Sequence, residues 1–441
     1  MAVDIGALLH QGIYRTPGIY IEETRAEDKA QGLRTGVPVF VGFVDSRGHD
    51  RSNSLTSCLY LTRWEQFARH LGTGHLEGFL AHAVSGFFQN GGDRCIVMPV
   101  PAEDPHSAAA IPALMEAFAQ GSVLDDVEDV DLVCVPDAVL YPAETVIELQ
   151  SAVLDHCHRL GDRFAILDAL HDPRSASTQA RPSDSAVEKV VQHWEALPPS
   201  NGAIYYPWIY VEPAYRSYKG HPRASPVHVG HAAIAMNGNT RTKREAGLLV
   251  PPCGHIAGVY ARTDASIGVH KAPANEVVEG ALNLQVDLGD DEQGQLNDAG
   301  VNCLRAFPGR GIRVWGARTL SGQPNWRYVN VSRLFLTLTR WLRKELGYLA
   351  FEPNSPQLWA QIRQRISAYC MELFRRGALK GASPAEAFFV KCDAETNPFE
   401  LREAGQVVAQ IGLAPTLPAE FVVVRLVQSA SDLTVAAATA L

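Results

Sequence analysis

The chain has 441 residues, 46% of them hydrophobic and 20% charged, with a formal net charge of −9. That is enough apolar material for two or three domains, and the acidic balance argues against nucleic acid as the main partner, because phosphate binding needs a net or local basic surface. The eight cysteines (58, 95, 134, 157, 253, 303, 370 and 392) stand singly, as expected of buried free thiols made in a reducing cytoplasm rather than of a disulfide framework. The first ten residues lack a basic n-region and a long apolar run, and no stretch approaches about eighteen apolar residues, so neither a secretory signal nor a membrane-spanning helix is expected.

In chain order, residues 1–30 read as an extended arm and linker. Pro17-Gly18 marks a turn, and Ile19, Tyr20 and Ile21 make a short β-rich run ending in Glu22-Glu23. VPVFVGFV at 37–44 reads as a buried strand, 63–71 and 76–88 as helices, and 94–100 as a strand. The middle then alternates: strand 131–136, helix 143–160 stopped by Gly161, strand 164–170, a Pro/Ser-containing loop at 171–185, helix 187–197 and strand 203–211. Such alternation predicts a largely parallel sheet with helices on its faces, an α/β layer. Residues 213–246 are basic and Gly/Pro-punctuated, a surface excursion; helical character resumes at 254–264, and 311–320 closes the region as a strand.

The last part changes style, making the whole α+β. Val331, Leu334, Phe335, Leu338, Trp341 and Leu342 form one apolar stripe at helical spacing, with Arg333, Arg340, Arg343 and Lys344 expected on the solvent side. Ser355-Pro356 predicts an N-cap and first turn of a helix running to Gly377, with Leu358, Trp359, Ile362, Ile366, Tyr369, Leu373 and Phe374 inward. Ser383-Pro384-Ala385-Glu386 fits a capping box. Residues 388–392, 407–413 and 421–427 read as strands, a short helix is expected between Asn397-Pro398 and Gly405, and the tail beyond Gln428 is expected to fray.

No motif here carries catalysis. Asp155-His156-Cys157-His158 holds metal-capable side chains, but in a helix consecutive residues point to different faces, whereas zinc wants i and i+4 or ligands split across loops. Gly72-Thr73-Gly74 follows a helix rather than a strand and lacks the Gly-Lys-Ser/Thr of a phosphate loop. Asp168 and His171 close a strand where α/β active sites often lie, yet no Gly-x-Ser-x-Gly elbow or His-Glu-x-x-His accompanies them. Neither catalytic, metal nor cofactor residues are therefore expected.

Ordered sequence blocks do carry a resemblance. TPGIYIEE at 16–23, VFVGF at 39–43, TRWEQF at 62–67, FFQNGG at 87–92, HKAPAN at 270–275 and GVNCLRAFP at 300–308 stand in sequence. WRYVN at 326–330, FEPN at 351–354 and Asn397-Pro398 continue them. Together they resemble contractile phage tail sheath proteins, including those of extracellular contractile injection systems, over nearly the whole chain.

The resemblance implies a structural subunit rather than an enzyme; the alternative from another class is a degenerate α/β hydrolase. It implies an arm at 1–30, a subtilisin-like α/β sheath domain without a catalytic set at 31–323, and a C-terminal sheath domain with a strand arm at 324–441. The excursion at 213–246 is longer than the family's pattern implies, suggesting added outer-surface decoration. Assembly would proceed in the bacterial cytoplasm, into a phage tail or a released tail-like particle. Partners would be further copies in a helical sheath, an inner tube protein, a baseplate and cap or terminator proteins, with no membrane insertion. Gly18, Ile19, Tyr20, Ile21 and Glu22 and, at the other end, Phe421, Val422, Val423, Val424 and Arg425 would be exchanged as strands between subunits. Arg363, Arg365, Arg375 and Arg376 would contact the inner tube.

Overall fold

The computed structural model describes residues 33–46, 58–72, 75, 77–170, 184–214, 247–349, 352–420, 423–428 and 433–438. The first apolar run forms β1 (Pro38–Asp45), buried along all but its last residue. After it come β2 (Leu59–Leu61), α1 (Trp64–Leu71), α2 (Leu80–Gln89), β3 (Cys95–Ala102), α3 (Ile111–Glu116), β4 (Leu132–Cys134), α4 (Ala143–Leu160) and β5 (Phe164–Asp168). The middle continues with α5 (Asp184–Ala196), β6 (Gly202–Tyr206), β7 (Ile209–Val211), β8 (Leu248–Val250) and α6 (Cys253–Ser266). It ends with β9 (Ala281–Leu284), α7 (Asp290–Ala299), β10 (Asn302–Phe307) and β11 (Gly311–Trp315). The C-terminal part comprises α8 (Val329–Leu346), α9 (Pro356–Arg375), α10 (Pro384–Ala387), β12 (Phe388–Lys391), α11 (Phe399–Glu403), β13 (Gln410–Leu413), β14 (Val423–Gln428) and β15 (Leu433–Ala438).

One eight-stranded sheet runs β11-β10-β6-β5-β4-β1-β3-β2. The strands from β10 to β3 are parallel, and the edge strands β11 and β2 are antiparallel to their neighbours. Val39 sits opposite Ile96 on one side and Val133 on the other, so apolar side chains stack across the sheet. Strands this apolar need cover on both faces, which the intervening helices supply. The α2–α6 crossing is close because Gly254 and Gly258 face α2: a Cβ at Gly254 would lie 2.2 Å from the Ala83 carbonyl oxygen. A second core gathers Trp359, Ile362, Ile366 and Cys370 of α9 against β12, β13 and the end of α8.

Most predicted elements form, and four details differ. The strand expected at 203–211 breaks into β6 and β7 at Pro207, which has no N–H for a ladder; β7 pairs instead with β8 and β9 in a small antiparallel sheet. The expected capping box does not form: the Ser383 side chain makes no cap bond, and Glu386 accepts at 2.9 Å from the N–H of Ala382, the residue before the N-cap, rather than from that of Ser383. The tail expected to fray beyond Gln428 instead forms β15, which pairs antiparallel with β14. Finally, Arg333 and Arg340, expected in solvent, are buried at 2% and 6% exposure. A buried guanidinium is tolerated when carboxylates compensate it, and Arg333 has two.

Candidate functional site

In a parallel sheet, ligands usually bind at the carboxyl ends of strands where strand order reverses, here on either side of β1. That crevice is filled from within. The Asp137 carboxylate accepts from the Phe43 N–H at 2.6 Å and the Phe79 N–H at 2.5 Å. Gly42 makes room for it, since a Cβ there would lie 2.6 Å from Asp137 Oδ2. Burial pushes the Asp137 carboxyl up to about 6, against the pull of those backbone bonds. The carboxyl end of β5 is spent in the same way. Asp168 accepts from the Cys253 N–H at 2.8 Å, and burial lifts it to about 7. Nearby, His193 accepts from the Leu170 N–H at Nδ1 (3.2 Å) and lies 2.8 Å from Gln150 Oε1 at Nε2; burial lowers it to about 4. His171 lies outside the described residues. In α4, His156 and Cys157 point inward while Asp155 and His158 are exposed, so the row of metal-capable residues is split as its spacing predicts. Among the described residues no cluster of three His, Cys, Asp or Glu side chains could hold a metal.

The features that remain are surfaces and chain ends. Gly18, Ile19, Tyr20, Ile21, Glu22, Phe421 and Val422 lie outside the described residues. Val423, Val424 and Arg425 lie in β14, opposite Ala438, Ala437 and Ala436 of β15. The strand expected to stand alone therefore has a partner in its own chain, and the pair forms a two-stranded sheet. β12 and β13 form another, with Phe388, Val390, Ile411 and Leu413 packed on the C-terminal core. Phe389 lies on the opposite face, 59% exposed, over Gly412, where a Cβ would meet its ring at 2.0 Å. Two-stranded sheets retain backbone donors and acceptors on their outer edges, available to a further strand.

The arginines of the 356–376 segment are all exposed, as expected, but do not share one face. At 3.6 residues per turn, Arg365 and Arg376 fall within about 20° of each other, while Arg363 and Arg375 lie on other flanks. Arg376 pairs with Glu372 at 2.8 Å. Arg365 is 3.9 Å from Glu345, and its guanidinium lies 4.7 Å from the centre of the Tyr348 ring. Among the described residues Arg363 and Arg375 have no ion-pair partner, so they hold the unspent charge of this helix.

Sequence reasoning missed a buried polar node where α8 meets the α/β layer. Arg333 reaches Asp264 at 2.6 Å and Asp131 at 3.0 Å, and lies over the Tyr260 ring at 4.8 Å. Asp131 also accepts from the Gly36 and Val37 N–H groups at 2.9 and 2.6 Å, at the start of β1. Near the other end, Arg318 makes a two-pronged bond to Glu420 at 3.0 and 2.7 Å. The only signal in the sequence was an arginine close to an apolar stripe, which does not reveal carboxylates 69 and 202 residues away.

This is a mixed α/β protein in which, among the described residues, the acids at the usual ligand crevice are bonded inside the fold, with a C-terminal part that presents sheet edges and basic helix flanks. The central domain of phage tail sheath proteins matches residues 107–320, and the phage tail sheath C-terminal domain matches 321–429. The chain belongs to the phage tail sheath family, whose matching members are structural proteins rather than enzymes. It is 28% identical over 187 residues to the tail sheath protein of Vibrio phage KVP40, covering 42% of this chain and 27% of that one. It is also 28% identical over 170 residues to the tail sheath protein of Salmonella phage ViI, covering 38% of this chain and 26% of the relative. The match thus spans about a quarter of each of these relatives. Among solved structures, the PVC sheath complex in its contracted state is similar at 26% identity and a TM-score of 0.67, over 95% of this chain and 99% of that one. The anti-feeding prophage helical sheath in its contracted state is similar at 27% identity and a TM-score of 0.64, over 95% and 100%.

Proposed function

We propose that this chain is the repeating subunit of a contractile sheath, which polymerises head-to-tail around an inner tube. Rigid-body rearrangement of the subunits then contracts the sheath and drives the tube through a target envelope. The observation that carries the reading is the likeness, over 95% of this chain, to sheaths described in the contracted state. Strand addition links the subunits: Gly18–Glu22 of one copy and 421–425 of another add to the open edges of a neighbour's β12–β13 sheet. A head-to-tail contact of this kind propagates as a helix rather than closing as a dimer. Pairing of Val423, Val424 and Arg425 with β15 lets the C-terminal arm travel as a hairpin, so that β14 offers one edge to the neighbour.

The middle layer is a subtilisin-like α/β scaffold without a protease's catalytic set, and residues 213–246 decorate its outer surface. Arg363 and Arg375, with Arg365 and Arg376 in support, contact an acidic inner tube through few, breakable bonds. A baseplate and a cap or terminator protein complete the particle, which assembles in the bacterial cytoplasm. A degenerate hydrolase is disfavoured because Asp137 and Asp168 are committed to backbone N–H groups. Negative-stain electron microscopy of the purified full chain tests the reading. Hollow striated cylinders, lost when residues 1–32 are deleted, are expected. Small monodisperse particles, both alone and with the tube protein added, would refute it.

A further inference from the structure

The chain enters the α/β layer at Thr35–Val37 and leaves the C-terminal part at 416–420, so these two segments are the roots of the proposed arms. Both converge on one turn of helix. At the N-terminal root, Asp131 receives the Gly36 and Val37 N–H groups and is gripped by Arg333, while the Thr35 side chain bonds Asp264 on the other side of the same guanidinium. At the C-terminal root, Asn330 donates to the Thr416 carbonyl at 3.0 Å and to the His270 carbonyl at 2.9 Å. Glu420 is held by Arg318, whose backbone bridges to Tyr328, the N-cap residue just before α8. Asn330 and Arg333 are three residues apart, neighbours on one helical face.

The burial makes this more than a coincidence of position. The side chains of Arg333 and Asp264 are each 2% exposed and that of Asp131 6%. Asn330 is 3% exposed, and its Oδ1 has no partner among the described residues. A guanidinium with two carboxylates in the interior costs desolvation that an apolar contact would not. It supplies in return a directional link that resists shear, because each bond fixes an angle as well as a distance. An arm root held only by apolar packing could slide.

We propose that the first turn of α8, with Arg333 as its positioning residue, couples the two arms of each subunit, so that displacement of one root moves the other. This rests on the reading that arms link successive copies. On that reading, motion imposed by one neighbour passes through Arg333 and Asn330 to the next neighbour instead of being absorbed at either root. The partner recognised is a further copy of this chain, and the coupled element is the polar node rather than the apolar core.

Hydrogen exchange on the full-length chain, read by mass spectrometry, tests the coupling through its cross terms. Arg333→Lys retains the charge but loses the fork, and is expected to speed exchange at 416–420 at least threefold. Asn330→Ser is expected to do the same at 36–37. Amides at 149–152 in the middle of α4, which makes no hydrogen bond to either root among the described residues, serve as the reference and should not change. Glu420→Gln loosens a clamp whose side chains are 11% and 16% exposed, outside the buried Arg333 node, so it decides the matter if either buried variant fails to fold; it should also raise exchange at 36–37. Cylinders built from the variants should be shorter or irregular. Exchange that rises only at the root carrying each substitution, with cylinders of ordinary length, would overturn the proposal. Deleting residues 1–32 separates the two failures: if that deletion leaves cylinders intact, the strand-addition reading itself falls. If it abolishes them while the variants show no cross effect, the coupling alone falls.

Discussion

Asp168 offers a direct measure of how firmly this scaffold holds its buried groups. Burial raises its carboxyl from 3.8 to about 7, opposed by the bonds from Cys253. A carboxyl raised on folding binds its proton more tightly in the native state, so native stability is greatest below 3.8 and falls as pH rises towards about 7. At 1.36 kcal/mol per unit, the full effect is about (7 − 3.8) × 1.36, or roughly 4 kcal/mol. Between pH 5 and pH 8 the portion lost is about 2.5 kcal/mol. Asp168→Asn keeps an oxygen for the Cys253 N–H and has no proton to lose, so its stability should lack this decline. Urea unfolding of the unassembled subunit across that pH range gives the comparison. Trp208 is a suitable fluorescent reporter, because its indole N–H donates to the Ala169 carbonyl at 2.9 Å, one residue from the substitution. Relative to wild type, the variant should gain about 2.5 kcal/mol on going from pH 5 to pH 8. Parallel stability curves for the two chains would refute the assignment of a high-titrating carboxyl to this position.

The packing supplies further expectations. Gly254→Val drives a side chain into the Ala83 backbone at the α2–α6 crossing, and should cost about 3 kcal/mol or more, measured as loss of soluble folded chain. Gly294→Ala, at an exposed interior position of α7 with open space around it, should instead stabilise by about 0.5–1 kcal/mol in the same unfolding assay. Gly412→Ala displaces the Phe389 ring and should weaken the β12–β13 sheet by about 1–3 kcal/mol, read as faster exchange of the amides at 388–391 and 410–413. Arg363→Glu combined with Arg375→Glu should abolish co-sedimentation with the inner tube while contracted cylinders still form; unchanged tube binding would remove these residues from the contact.

Much of the scaffold was legible because local signals and tertiary demands agree. In α4, periodicity and a glycine stop place the helix at Ala143–Leu160, and Gly161 adopts φ +64° as a helix-ending glycine should. What escaped depends on partners distant in sequence. Arg333 reads as a solvent cation until Asp131 and Asp264 are brought beside it. β15, with the sequence LTVAAA, gives little β signal of its own and acquires it from pairing with β14. The arginines of the 356–376 segment are exposed, and their division among several flanks was already present in their spacing. Ser383 shows the opposite limit, a capping motif present in sequence that does not form, Glu386 accepting from the N–H of Ala382 instead.

The same chemistry explains why, among the described residues, the polar groups at the switch point of a site-bearing sheet are committed inside the fold. An active site needs acids and bases with free lone pairs facing solvent or substrate. Here Asp137 joins β1 to the start of α2, Asp168 joins β5 to the start of α6, and His193 joins α5 to the end of β5 through Leu170 and to α4 through Gln150. Each polar group at the carboxyl edge thus fixes one element against another, converting what would be a mobile loop cluster into a braced surface. A catalyst loses by that exchange, because its loops must admit a substrate. A subunit that must turn as a unit under force gains from it, because displacement at its margins is then transmitted rather than dissipated inside the fold.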